Sequence, residues 1–224
     1  MTPRVTCVMP TADRRRFVPR AIARFLAQDY TDAELLIVDD GADRIADLVP
    51  ADPRVRYIGL DRRLVLGAKR NLACEDARGE VIVHWDDDDW SASWRLGYQV
   101  EQLVATGADA GGLNRVLFHD PAANEAWEYE YPRGAAPWVY GATLIYTKAF
   151  WRRNPFPAIN VGEDSRFVWA NVRKRVDAHD EWRFFVATVH AANTSRKETR
   201  GHRWRRTRVE SLHELMRRDG RGEL

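Results

Sequence analysis

Four short, nearly unbroken apolar runs dominate residues 1–84: Val5–Met9 (VTCVM), Glu34–Val38 (ELLIV), Val55–Ile58 (VRYI) and Val81–His84 (VIVH). A strand with one wet face alternates apolar and polar side chains. Runs that hardly alternate are expected to be covered on both faces. Helix-like segments separate them. Pro19 stands near the start of PRAIARFLAQ, whose Ile22, Phe25 and Leu26 share one face, and Gly67–Ala77 is the next such segment. This alternation predicts an α/β fold, with a mostly parallel central sheet and helices on both faces.

Ser91 or Ser93 is the expected cap of a helix from Trp94 to about Ala105. After Gly107 the texture changes. Leu113–Phe118 and Trp127–Tyr131 flank the turn-like HDPAANEA and read as an antiparallel hairpin, part of a small antiparallel subregion. Ala142–Tyr146 reads as a strand, followed by a short Trp-rich helix and a helix beginning near Glu163. Trp182–Val189 is expected to be the last strand. The tail NTSRKETRGHRWRRTR reads as a loop, and Val209–Arg218 as a closing helix.

With 224 residues, 45% hydrophobic and 30% charged, the chain has the balance of a soluble globular protein with a real core. A net charge of +2 does not argue for nucleic acid, and a single Trp204 among the tail arginines is no binding motif. No apolar stretch has the length of a membrane span, and no signal peptide opens the chain. Cys7 and Cys74 lack metal-ligand spacing and read as buried, reduced thiols. The expectation is a cytoplasmic protein, with the arginines between Arg196 and Arg208 open to peripheral membrane contact.

The apolar run Val81–Val83 leads directly into Asp86, Asp87, Asp88 and Asp89, bracketed by Trp85 and Trp90. Like charges this close repel, more so where water is scarce. Acidic residues ahead of a helix are also favoured by its dipole, which is the plainer explanation. Yet a helix start rarely needs four carboxylates. In open parallel sheets ligands bind beyond the carboxyl ends of the strands, and Asp39-Asp40 ends the second strand as the quartet ends the fourth. A divalent cation held by one or two carboxylates and a substrate phosphate supplies the missing positive charge.

The opening VTCVMPTADRRRFVPRAIARFLAQDYTDAELLIVDDG resembles the start of family 2 glycosyltransferases of the GT-A fold. LGAKRNLACEDARGEVIVHWDDDDW resembles the segment that carries the Gly-Ala-x-x-Asn helix and the Asp-x-Asp motif of that family. GEDSRFVWANV resembles the acceptor-site motif, particularly that of bacterial spore-coat polysaccharide glycosyltransferases. The resemblance covers about residues 4–190, in order.

It implies a single GT-A domain over 1–224: a nucleotide-binding half at about 1–107, an acceptor-side half at about 108–192, and a basic loop with a C-terminal helix at about 193–224. Pro10 and Thr11 would lie beside the nucleoside, and Asp39 would accept from N3–H of a uracil or thymine. Lys69 or Arg70 would face the diphosphate, with Asn71 shaping that wall. Asp86 and Asp87 would sit near the ribose and the metal, an Mn²⁺ or Mg²⁺ ion with Asp88 as direct ligand, and His190 is a further candidate ligand. Asp89 reads as a helix cap, and His84 as a packing residue. Asp164 is the implied general base. The expected activity is an inverting, single-displacement transfer of sugar from a UDP- or dTDP-sugar to a hydroxyl acceptor. A sugar nucleotidylyltransferase is a weaker alternative, because the loop PTADRRRF lacks glycine; a catalytically silent basic binding module is the other.

Overall fold

The structure, a computed structural model, describes residues 2–132, 137–195 and 197–221, so Arg196 lies outside the described residues. The four apolar runs are strands β1 (Val5–Thr11), β2 (Ala33–Asp39), β3 (Val55–Gly59) and β4 (Val81–His84). All four run parallel, with β1 between β2 and β4 and with β3 outside β2. Helix α1 (Val18–Leu26) follows β1 and buries Val18, Ala21, Ile22 and Phe25. Helix α2 (Leu66–Asp76) precedes β4.

Alternate side chains of these strands enter different cores, as the period of two requires. Cys7, Met9, Leu35 and Ile37 pack with α1. On the other face, Val8, Leu36, Val38 and Ile82 pack with Ala73 and Cys74 of α2. Each such aliphatic side chain stabilises the fold by about 1.5–3 kcal/mol relative to exposure.

Strand β5 (Trp90–Ser91) and helix α3 (Arg95–Thr106) come next, and the helix ends at Gly107 with φ 60°. Neither Ser91 nor Ser93 caps it. Trp94 occupies the cap position without a capping side-chain bond; its indole N–H donates to the Asp219 carbonyl at 2.6 Å. Ser93 instead engages the Asp219 carboxylate, and Ser91 Oγ accepts from Arg95 Nη1 at 2.9 Å.

The second half supplies β6 (Ala110–Gly112), β7 (Arg115–Asp120), β8 (Glu125–Glu130), β9 (Ile145–Thr147), helices α4 (Lys148–Arg153) and α5 (Glu163–Trp169), then β10 (Val176–Ala178), β11 (Phe185–Thr188), β12 (Trp204–Thr207) and α6 (Val209–Arg217). Among the described residues the central sheet has seven strands in the order β10-β6-β9-β4-β1-β2-β3. All but β9 share one direction, so it is mostly parallel with one reversed strand.

A second, mixed sheet has the order β12-β8-β7-β11-β5. The expected hairpin is its β7–β8 pair. Two expectations need correction. The segment 142–146 is a 3-10 turn (Gly141–Thr143) leading into β9, not one strand. The tail is not simply a loop, and β11 is not the last strand, because β12 pairs antiparallel with β8. There Arg205 pairs with Glu128 and Glu130, and Arg206 with Glu125. Those arginines are matched by glutamates rather than free for an acidic surface.

Candidate active site

The carboxyl ends of β1 and β4 open into a cavity of about 790 Å³. The loop after β1, the start of α2, the aspartate quartet, the start of α5 and the segment 192–195 line it. Its position follows from the topology, since parallel strands leave their carboxyl ends free where the chain crosses between elements.

The quartet forms one wall. Thr11 Oγ1 donates to Asp87 Oδ2 at 2.6 Å, and Arg14 Nε lies 2.9 Å from Asp87 Oδ1. Asp88 Oδ2 is 2.8 Å from His190 Nε2 and accepts from Asn193 Nδ2 at 3.3 Å. Phe17 stacks on the His190 ring at 4.8 Å and fixes its plane. Asp89 turns away from the cap role: its Oδ1 accepts from the Thr188 backbone N–H at 2.8 Å. Loss of water pushes Asp87 up to about 7, although Arg14 opposes it. Burial also raises Asp86, and raises Asp89 well above the ordinary carboxylate range.

Behind this wall is Arg95, 1% exposed. Its guanidinium donates to Gln99 Oε1, Ser91 Oγ and the His84 and Ala142 carbonyls at 2.9–3.0 Å, and lies 5.2 Å from the Trp85 ring centre. Desolvation lowers its pKa to about 10. A fixed cation thus backs the carboxylates.

The basic wall comes from α2. Lys69 pairs with Asp40 and donates to the Thr11 carbonyl at 3.1 Å. Arg70 Nε donates to Glu163 Oε1 at 3.2 Å, and its Nη2 is 3.7 Å from Asp86 Oδ1. Arg70 Nη1 is buried and has no hydrogen-bond partner among the described residues. It lies on a side chain that borders the cavity. Burial raises Glu163, with Arg70 opposing.

Asp164 faces the cavity from the first turn of α5. Its Oδ1 accepts from the Ser165 N–H at 2.6 Å. Its other oxygen packs so closely on Gly141 that a Cβ there would stand 1.8 Å from it. Gly141 is held in turn by buried His84, whose Nδ1 meets the Gly141 carbonyl at 2.7 Å. Burial keeps His84 well below the usual histidine range, so the neutral ring donates. His84 packs, as its position in the strand implies.

Pro10, Thr11, Lys69, Arg70, Asp86, Asp87, Asp88 and Asp164 therefore border one cavity, and His190 meets Asp88 at its edge. Two expected nucleotide residues do not reach it. The Asp39 carboxylate is fully buried: Oδ1 accepts from Gly41 N at 2.9 Å, and Oδ2 from Ile45 N and Tyr57 OH at 3.2 and 3.0 Å. Both oxygens are engaged away from the cavity, and Asp40 is the neighbour on its wall. Asn71 bonds the backbone N–H and carbonyl of Phe156 and the Trp151 indole at 2.8–2.9 Å. It secures the segment leading into α5 instead of shaping the phosphate wall. Sequence reading also gave no role to Arg14, Asn193 or Gly141. The first loop's arginines were visible as charge, but nothing local signals where the other two fold.

Asp88 and His190 offer one carboxylate oxygen and one imidazole nitrogen as donors that would suit a divalent cation; here they meet in a 2.8 Å hydrogen bond, and Arg14 pairs with the same Asp88 oxygen. Among the described residues no group of three or more His, Cys, Asp or Glu side chains is arranged to hold a metal. Phosphate oxygens would have to complete the shell, the usual arrangement for such ions.

The sequence profile described as glycosyl transferase family 2 matches residues 6–161. A putative colanic acid biosynthesis glycosyl transferase, WcaA of Escherichia coli, is 40% identical over 75% of this chain and 57% of its own. Succinoglycan biosynthesis protein ExoO of Rhizobium meliloti is 40% identical over 47% of this chain and 31% of its own. The chain thus spans only part of the length of these relatives. S. aureus TarS in complex with UDP superimposes with a TM-score of 0.66 at 18% identity, over 83% of this chain and 60% of that one. Mannosyltransferase PcManGT from Pyrobaculum calidifontis, in complex with GDP-Man and Mn²⁺, gives 0.66 at 20% identity, over 84% and 57%. At such identities the likeness speaks for the fold, which is GT-A. Since the profile covers more than half of the chain and runs through the strand ends that build the cavity, the chain belongs to glycosyl transferase family 2.

Proposed function

We propose that this glycosyltransferase is metal-dependent and inverting, and that it moves a sugar from a UDP- or dTDP-sugar to a hydroxyl of a glycan acceptor. The observation that carries the reading is the sharing of one cavity by an acidic wall, Asp88 with His190 beside it, and a separate carboxylate, Asp164. Relatives named for succinoglycan and colanic acid biosynthesis support a glycan acceptor. The uridine or thymidine preference rests on the resemblance alone, because Asp39 is turned inward.

Asp164 takes the proton of the acceptor hydroxyl while that oxygen attacks the anomeric carbon. The bond from that carbon to the diphosphate oxygen breaks on the opposite face, so configuration inverts in one displacement through an oxocarbenium-like transition state. A divalent ion held by Asp88 and His190, when bound, neutralises charge on the departing diphosphate. Arg70 offers its unpartnered Nη1 to the same oxygens, and Lys69 holds the Thr11 carbonyl and Asp40 in place. A silent basic module is disfavoured by the glutamate partners of Arg205 and Arg206.

Calorimetric titration with UDP, dTDP, GDP and CDP, each with Mn²⁺ and again with EDTA, tests the donor side. Manganese-dependent binding of UDP or dTDP is expected; binding of GDP alone would overturn the base assignment, and binding indifferent to EDTA the metal. On the acceptor side Asp164→Asn is expected to retain donor binding and to lose transfer by about 10²–10⁴-fold. Normal turnover in that variant would exclude Asp164 as the base.

A further inference from the structure

The acidic wall already holds a cation of the chain's own. Asp13 adopts φ 56° and turns the first loop, so that Arg14 enters between Asp87 and Asp88. Arg14 Nε stands 2.9 Å from Asp87 Oδ1, and Nη2 pairs with Asp88 Oδ2. That same Asp88 oxygen meets His190 Nε2, which is itself 3.4 Å from Arg14 Nη2. Arg14 Nη1 donates to the Ala192 carbonyl at 3.1 Å, tying the loop after β1 to the segment after β11.

One carboxylate oxygen therefore faces a guanidinium, an imidazole and, at 3.3 Å, an amide. A metal ligated there would sit on the order of 2.1 Å from that oxygen, inside the space the guanidinium fills. Two cations so close repel by Coulomb's law, most strongly in a site poor in water. A diphosphate shifts the balance, because it offers the displaced guanidinium a new anionic partner with matched geometry.

We propose that Arg14 is the resident counter-ion of the aspartate quartet, competing with the divalent metal for Asp88 until a nucleoside diphosphate draws it away. This rests on the metal-dependent reading above. Free Mn²⁺ then binds the wild-type protein weakly, and nucleotide and metal bind with strong mutual enhancement. Arg14 acts here as a positioning residue: it spaces Asp87 and Asp88 before substrate arrives.

The test is Mn²⁺ affinity without nucleotide, read by electron paramagnetic resonance, for wild type, Arg14→Gln and Arg16→Gln. Arg16 lies in the same loop and stacks on Phe17 at 4.5 Å, so its loss removes equal charge without vacating the carboxylates. Arg14→Gln is expected to bind Mn²⁺ at least about tenfold more tightly than wild type, and Arg16→Gln within about twofold of it. The Arg14→Gln melting temperature in EDTA should fall and recover with Mn²⁺, while that of wild type responds little without nucleotide. Should Arg14→Gln prove unstable, Arg14→Lys keeps one charge but cannot span both carboxylates, and an intermediate gain is expected. Unchanged or weaker Mn²⁺ affinity in folded Arg14→Gln would overturn the proposal, as would an equal gain in Arg16→Gln. Absence of Mn²⁺ binding in all three proteins even with UDP, dTDP, GDP or CDP present would instead remove the metal reading itself, and this inference with it.

Discussion

At the residue scale, Gly141 and Asp164 form a contact that only a missing side chain permits. The Cβ of an alanine at 141 would fall 1.8 Å from Asp164 Oδ2, and the carbonyl of 141 is pinned by His84, so the carboxylate has to move. A displacement near 1 Å at a catalytic group costs about 10²-fold in rate. Gly141→Ala should therefore lower transfer by about that factor while leaving nucleotide affinity near wild type, measured by product formation alongside calorimetry. Asp87 gives a pH prediction. Its carboxyl rises from 3.8 to about 7 on folding. The folded chain thus holds a proton that the unfolded chain releases, and the stability linked to it is present below about pH 4 and lost as pH rises through 7. Asp87→Asn mimics the protonated form and escapes that loss. In metal-free melts, its stability relative to wild type should increase between about pH 4 and 7; a constant difference would show that Asp87 is not perturbed.

At the scale of elements, β12 covers the outer edge of the second sheet through its backbone and through Trp204, whose ring lies 4.7 Å from Phe118 and 5.0 Å from Tyr129. Its arginines pair at the surface, with 64% and 74% of the side chain exposed for Arg205 and Arg206. Exposed pairs stabilise by at most about 1 kcal/mol each. Trp204→Ala, which empties a packed contact, should cost about 2 kcal/mol or more. In urea, the midpoint should shift further for Trp204→Ala than for the Arg205→Ala/Arg206→Ala double variant, at constant slope. This strand also marks where sequence reading stops. The interior strands β1, β2 and β4 were legible to within two residues because burial on both faces leaves a continuous apolar run. WRRT has no such run, and neither do the three-residue strands β6 and β10, AGG and VDA. Their pairing partners are distant in the chain, and no local pattern encodes them. The site divides likewise. Acids at strand ends were legible because topology puts those ends at the cavity, but which of two adjacent aspartates turns inward was not. Asp39 is consumed by Gly41, Ile45 and Tyr57, contacts that arise only once β2, β3 and the loop between them are assembled.

At the scale of the whole molecule, the central sheet keeps a separate apolar layer on each side, and one cysteine sits in each. Cys7 belongs to the α1 layer and Cys74 to the α2 layer, and burial pushes both thiols up to about 12. Only a thiolate reacts readily with alkylating reagents, so each thiol is silent until its own layer opens. The pair is a built-in stopwatch for the two sides of the sheet. Alkylation followed by peptide mass spectrometry under native conditions should show Cys7 and Cys74 modified at one common rate if the layers open together. Earlier modification of Cys74 would mean that the face carrying Lys69 and Arg70 breathes on its own, and saturating nucleotide should then slow Cys74 while leaving Cys7 unaffected.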